Sequence, residues 1–231
     1  MYHEIADVPR ETLYPGKYVP ESLFQRHLQL LKKMGKNIVS LETALAMLDS
    51  ETAHRAIVMT FDDGYRSFAE TATPAILAQN GTAIVFVVSD CVGGTNQWDT
   101  QLGDMQESLM SWDQIREVKK SGMVIGAHTK NHVHLDQCEL SVTEEEIIGS
   151  KSAIESEIGE PCSVFCYPYG GYNRNIQSIV KKAGFDYAFA TLKGGLSHSK
   201  DRFALPRVAM RCDTSPAIFV YKLWRLYAFD R

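Results

Sequence analysis

Ala56-Ile57-Val58-Met59-Thr60-Phe61-Asp62-Asp63-Gly64 is the stretch that decides how this chain folds. Its first six residues are apolar or β-branched and predict a short buried strand over 56–61, which Asp-Asp-Gly ends with turn chemistry. Upstream, Phe24, Leu28 and Leu31 recur at helical spacing within Ser22 to Met34, and Gly35 stands just past the end as a C-cap. Downstream the alternation repeats. A helical stretch from about Ala69 to Gln79 closes at Asn80-Gly81 and precedes the apolar run Ala83 to Val88. Ser111 caps a helix formed by WDQIREVKK ahead of Met123 to Gly126, and Ser141 with Glu144 has capping-box spacing before a helix running to about Ile158. Ser163 to Tyr167 is the next strand, a helix from about Asn175 to Ala183 stops at Gly184, and Asp186 to Ala190 follows as another strand. Strand and helix in alternation predict a parallel α/β architecture.

Composition narrows the class. With 231 residues, 45% of them hydrophobic, and a net charge of -4, the chain is expected to form one soluble globular domain over 1–231. Disordered, collagen-like and disulfide-scaffold classes are excluded. The balance of 28 Asp+Glu against 24 Lys+Arg provides no basic footprint, so no nucleic-acid partner is expected. Five cysteines, Cys91, Cys138, Cys162, Cys166 and Cys212, include no C-x-x-C pair and point to free thiols in a reducing compartment. The N-terminus has no basic and apolar leader, which predicts a cytoplasmic protein as given, or a periplasmic or extracellular one if the sequence begins upstream. No apolar run approaches the roughly 20 residues of a membrane span.

The polar clusters follow the predicted strands. Asp62-Asp63 follow the first, His128 and His132 follow MVIG, and Pro168-Tyr169-Gly170 follow SVFCY. Residues just after the C-terminal ends of parallel strands share one face, where active sites of α/β proteins are built. Two imidazoles four residues apart plus a carboxylate make a catalytic zinc-type site with positions left for water and substrate. Two adjacent carboxylates would repel each other unless a divalent cation relieved them. One acid would then hold the metal while the other takes a proton from water, a metal-assisted hydrolysis of a carbonyl compound. Which acid does which is open at this point. His134 is read as a loop residue rather than a third imidazole. The irregular stretch from about Ser89 to Met110, with Trp98 and Asp99, is expected at the rim of the cleft. The segment Ser215 to Phe229 is expected to close the core as a terminal helix.

Thr60-Phe61-Asp62-Asp63-Gly64-Tyr65 and His128-Thr129-Lys130-Asn131-His132 resemble the first two signature motifs of the polysaccharide deacetylases, the NodB-homology or carbohydrate esterase family 4 enzymes. Phe165-Cys166-Tyr167-Pro168-Tyr169-Gly170 extends the resemblance, which covers about Val58 to Val208. It implies a distorted, TIM-like (β/α) barrel with seven strands and a metal-dependent hydrolase. Its substrate would be the N-acetylhexosamine units of a polysaccharide, oligosaccharide or lipid-linked sugar. Asp62 is implied as general base, and Asp63, His128 and His132 as ligands of a divalent metal, Zn2+ first, with Co2+, Ni2+, Mn2+ or Fe2+ as alternatives. The backbone N–H of Tyr169 is implied in holding the oxyanion. Tyr65, Pro168, Tyr169, Trp98, Trp112 and Arg207 are expected to line the substrate site.

The chain departs from the family pattern at three points. Cys166 stands where many members carry an Arg that orients the base, and Arg207 is the candidate to replace it. The late catalytic histidine is missing, which leaves His198 as a candidate acid. Met1 directly precedes Tyr2-His3, where relatives have a preceding strand, so either the barrel is expected to open there or the true N-terminus is expected upstream. These departures keep two alternatives: an amidohydrolase acting on a small ureide or cyclic imide, and a catalytically impaired sugar-binding domain.

Overall fold

The computed structural model describes residues 1–100, 103–196 and 201–228. In chain order the elements are α1 (Glu21–Lys33), β1 (Asn37–Ile38), α2 (Leu41–Ala46), β2 (Ala56–Ile57), β3 (Met59–Phe61), α3 (Thr73–Leu77), β4 (Ala83–Val87) and α4 (Gln97–Thr100). They continue with α5 (Trp112–Lys120), β5 (Val124–Ala127), α6 (Leu140–Ile158), β6 (Val164–Cys166), α7 (Arg174–Lys182), β7 (Tyr187–Phe189) and α8 (Pro216–Ala228). A five-stranded sheet runs β3-β4-β5-β6-β7, every pair parallel, and helices cover its outer face.

The sheet curls into a barrel. Tyr2 bridges Phe61 at the β3 edge, and Leu205 bridges Phe189 at the β7 edge, both parallel. Between these edges, the Met1 nitrogen donates to the Val208 carbonyl at 3.0 Å and the Met210 N–H to the Met1 carbonyl at 2.9 Å. The seven expected staves are therefore five strands and two single-bridge segments, and the ring does not open at Met1. The Tyr2-His3 segment itself occupies the place where an opening was expected.

Side chains alternate across the strands as a pleat requires. Ile84, Phe86, Val164, Cys166, Phe189 and Leu205 pack together inside the curl, with Leu41 of α2 joining them. Val85, Val87, Ile125 and Phe165 face the helices in the larger core. Gly126 is required on β5, since a Cβ there would stand 2.5 Å from the Phe86 ring.

Three local expectations need correction. The run 56–61 is two strands, because Ala56 and Ile57 pair with β1 in a separate sheet before Met59 joins β4. Glu139 rather than Ser141 precedes α6, and Ser141 lies within its first turn. The 69–79 helix opens with a π turn over Phe68–Ala72. The capping box at Ser111 and Gln114 is present in full, and α8 buries Phe219 and Leu223 against the core.

Candidate active site

The C-terminal ends of β3, β5 and β6 meet at one cleft of about 230 Å3. Asp62 and Asp63 leave β3, His128 leaves β5, and Tyr169 follows β6. Left-handed backbone concentrates here. Of the five non-glycine residues with positive φ among the described residues, Asp63, Thr129, His132 and Tyr169 lie at this site. Such conformations persist where the surroundings hold them, commonly at functional sites. Gly170, also left-handed, could not carry a Cβ without running into Thr191.

Asp63, His128 and His132 converge. One carboxylate oxygen of Asp63 stands 3.3 Å from His128 Nε2 and 3.2 Å from His132 Nε2, all three side chains buried. The far nitrogens are already engaged: His128 Nδ1 with the Cys166 carbonyl at 2.8 Å, and His132 Nδ1 with the Tyr169 hydroxyl at 3.0 Å. A neutral His128 donates from Nδ1 to that carbonyl and leaves its Nε2 lone pair toward Asp63. The N···O separations exceed a charge-assisted hydrogen bond of about 2.7–2.9 Å. They match ligand atoms about 2.0–2.2 Å from a shared tetrahedral cation, which stand about 3.3 Å apart. The donor set therefore fits a divalent metal. With no metal between them and protons on Nε2 instead, burial would raise the Asp63 pKa, but the facing imidazoles, His132 first and then His128, hold it well below the usual carboxylate range.

Asp62 has a different partner. The Arg207 guanidinium grips both its oxygens, at 2.6 and 2.8 Å, and also donates to Thr60 Oγ1 and the Ala190 carbonyl. Arg207 reaches Cys166 Sγ at 3.0 Å, so two members of the neighbouring group Asp62, His128 and Cys166 are already paired with a guanidinium. Burial opposes ionisation of Asp62, yet Arg207, with help from His3, keeps its pKa below the ordinary value.

The other expected residues divide. Tyr65, Trp98 and Tyr169 line the cleft, and Trp98 stacks on His132 with ring centres 4.3 Å apart. Pro168 is buried beneath and does not line it. Trp112 packs against the core from the first turn of α5 and is not among the residues lining the cleft. Arg207 does not line the cleft; it lies behind Asp62 with its donors on protein acceptors, where the base-orienting candidate was expected. His134 stacks on the Tyr169 ring at 3.7 Å instead of joining the two imidazoles. His198 lies outside the described residues.

His3 was missed. It lines the cleft with its side chain 26% exposed and its Nε2 3.9 Å from Asp62 Oδ2. Alternation could have found it: Tyr2 packs on Phe61 and Phe24, so its neighbour His3 faces the other side. Glu146 of α6 was also missed. It accepts hydrogen bonds from three donors of the 130–131 turn between the two histidines.

Comparison with known proteins shows the same fold and places the chain in a family. The structure superposes on a Streptococcus pyogenes deacetylase, PplD, determined in complex with acetate, with a TM-score of 0.79 at 24% identity, covering 96% of each chain. It superposes on IcaB from Ammonifex degensii with a TM-score of 0.77 at 22% identity, covering 96% of this chain and 94% of that one. In sequence it is 25% identical over 200 residues to the poly-beta-1,6-N-acetyl-D-glucosamine N-deacetylase of Escherichia coli (strain K12). That match takes in 73% of this chain and 30% of the E. coli protein's length. Residues 49–188 match the family described as polysaccharide deacetylase, a span holding Asp62, Asp63, His128, His132 and Tyr169, and the chain belongs to that family.

Proposed function

We propose that the protein is a metal-dependent hydrolase that removes N-acetyl groups from N-acetylhexosamine units of a carbohydrate polymer or oligomer. The observation that carries this reading is the pair of adjacent carboxylates with separate partners: Asp63 faces two imidazoles and Asp62 faces a guanidinium. Asp63, His128 and His132 would hold the metal, with Zn2+ the ion that suits this donor set first. A divalent cation held there supplies Lewis acidity toward the acetyl carbonyl and toward water.

The chain's own groups supply the rest. Asp62, ionised and fixed by Arg207, takes a proton from the water whose oxygen attacks the acetyl carbon. The Tyr169 N–H donates to the oxyanion that develops as the carbonyl becomes tetrahedral. When the C–N bond breaks, the nitrogen needs a proton, and His3, at the cleft wall beside Asp62, is placed to give it. Acetate and the free amine leave. Trp98 and Tyr169 offer aromatic faces on which the apolar C–H face of a pyranose can rest.

Acetate release from N-acetylglucosamine oligomers, by metal-stripped protein with Zn2+, Co2+, Ni2+ or Mn2+ added back, tests the reading. Metal-restored release is expected. No release with any of the four, from folded protein that binds metal, would contradict it.

A further inference from the structure

Between His128 and His132 the chain makes a tight turn with two left-handed residues, Thr129 at φ 65 and His132 at φ 58. Neither is glycine, so both conformations cost energy and must be held from outside. Within the turn, the Thr129 hydroxyl accepts from the His132 N–H at 2.9 Å. From outside, the Ser89 N–H donates to the Thr129 carbonyl at 3.1 Å and the Asp90 N–H to the Lys130 carbonyl at 3.0 Å, while the turn's Lys130 and Asn131 amide donors are taken by one side chain. Glu146, in the second turn of α6, accepts from the Lys130 N–H at 2.8 Å and the Asn131 N–H at 2.9 Å on one carboxylate oxygen. Its other oxygen accepts from Asn131 Nδ2 at 2.8 Å.

Glu146 is 5% exposed, and no basic side chain is hydrogen-bonded to its carboxylate among the described residues. Two backbone amides and one side-chain amide are its partners, and charge-assisted bonds of this kind are about twice as strong as neutral ones. A buried acid spent on backbone donors fixes where those donors lie. The positions of Lys130 and Asn131 in turn set the separation of the residues on either side of them, which are the two imidazole ligands. A surface role for Glu146 is ruled out by its burial. Its neighbour Glu145 takes the solvent side and pairs with Lys130 Nζ at 2.7 Å.

We infer that Glu146 is a positioning residue for the metal site, holding the 129–132 turn so that the His128 and His132 nitrogens meet Asp63 at ligand spacing. This rests on the metal-site reading given above. Groups that orient ligands from outside the coordination sphere typically change metal affinity or activity by about 10–100-fold when removed.

The test is Co2+ binding to the metal-free full chain, followed by visible absorption and by competition with a chelator. The proteins are wild type, Asp63→Ala, Glu146→Ala and Glu146→Gln. Glu146→Ala is expected to weaken Co2+ binding by about 10–100-fold and to alter the Co2+ absorption envelope, which reports ligand geometry. Glu146→Gln keeps one acceptor oxygen for the two backbone amides and is expected to fall between Ala and wild type. A variant that loses thermal stability yet binds Co2+ with wild-type affinity and spectrum would assign Glu146 a merely structural role and overturn the inference. If Glu146→Ala does not fold, unchanged affinity and spectrum in Glu146→Gln overturn it equally. Wild-type Co2+ binding that Asp63→Ala abolishes keeps the site reading separate. Without it, the inference falls together with that reading.

Discussion

Asp62 keeps its charge in a place that opposes charge because a guanidinium occupies both its oxygens, and this pairing fixes how the carboxylate is turned. Replacing Arg207 by Met would leave a buried carboxylate unpaired, which costs about 3–5 kcal/mol in comparable pairs. We therefore expect Arg207→Met to shift the denaturant midpoint sharply downward and to lose most acetate release. Arg207→Lys keeps the charge but not the two-pronged grip, so it should recover stability better than turnover. Equal recovery of both would contradict an orienting role. The two acids and two histidines were legible in the sequence because each pair is local and sits just after a strand. Arg207 was legible only as a candidate offered by the family resemblance, since no spacing rule ties it to Asp62; His3 and Glu146 also come from remote segments, His3 betrayed only by its alternation with Tyr2. Trp112 misled because a helix-opening tryptophan looks the same whether it packs on the core or lines a pocket.

At the level of elements, the strands were the easiest to place, since β4, β5, β6 and β7 all lie within apolar runs closed by turn residues. The two-residue strands β1 and β2 and the short α2 carry no periodic signal, and the sequence could not show that 56–61 changes sheets midway. Helix α8 packs on α1 and the core beside the seam of the barrel. Phe219 stacks on His27 with ring centres 4.2 Å apart, and His27 also bonds the Tyr2 hydroxyl at 3.1 Å and the Thr214 carbonyl at 2.8 Å. Phe219→Ala should destabilise by about 3–5 kcal/mol, read from denaturant unfolding. A loss under about 1 kcal/mol would mean that α8 packs more loosely than this stacking implies.

For the whole molecule, the first segment is both a stave of the barrel and a wall of the cleft. No helix among the described residues is long and apolar enough to cross a membrane. Glu4 in that segment is 6% exposed and leaves one oxygen without a partner, and burial pushes its pKa from 4.5 up to about 7. A raised carboxyl pKa means that the folded state binds more protons than the unfolded state between those values. Its contribution is therefore fully present below pH 4.5 and lost as pH rises through about 7. Relative to Glu4→Gln, wild-type stability should fall by roughly 2–4 kcal/mol between pH 4.5 and 7.5, and parallel pH profiles would refute this. The division of labour between the two adjacent acids is tested most directly by measuring bound metal and acetate release side by side in wild type and Asp62→Asn. Asp62→Asn should retain its metal and lose acetate release by about 100-fold or more. Loss of the metal, or near-wild-type release with the metal in place, would contradict the assignment of Asp62 as the base beside a metal held by Asp63.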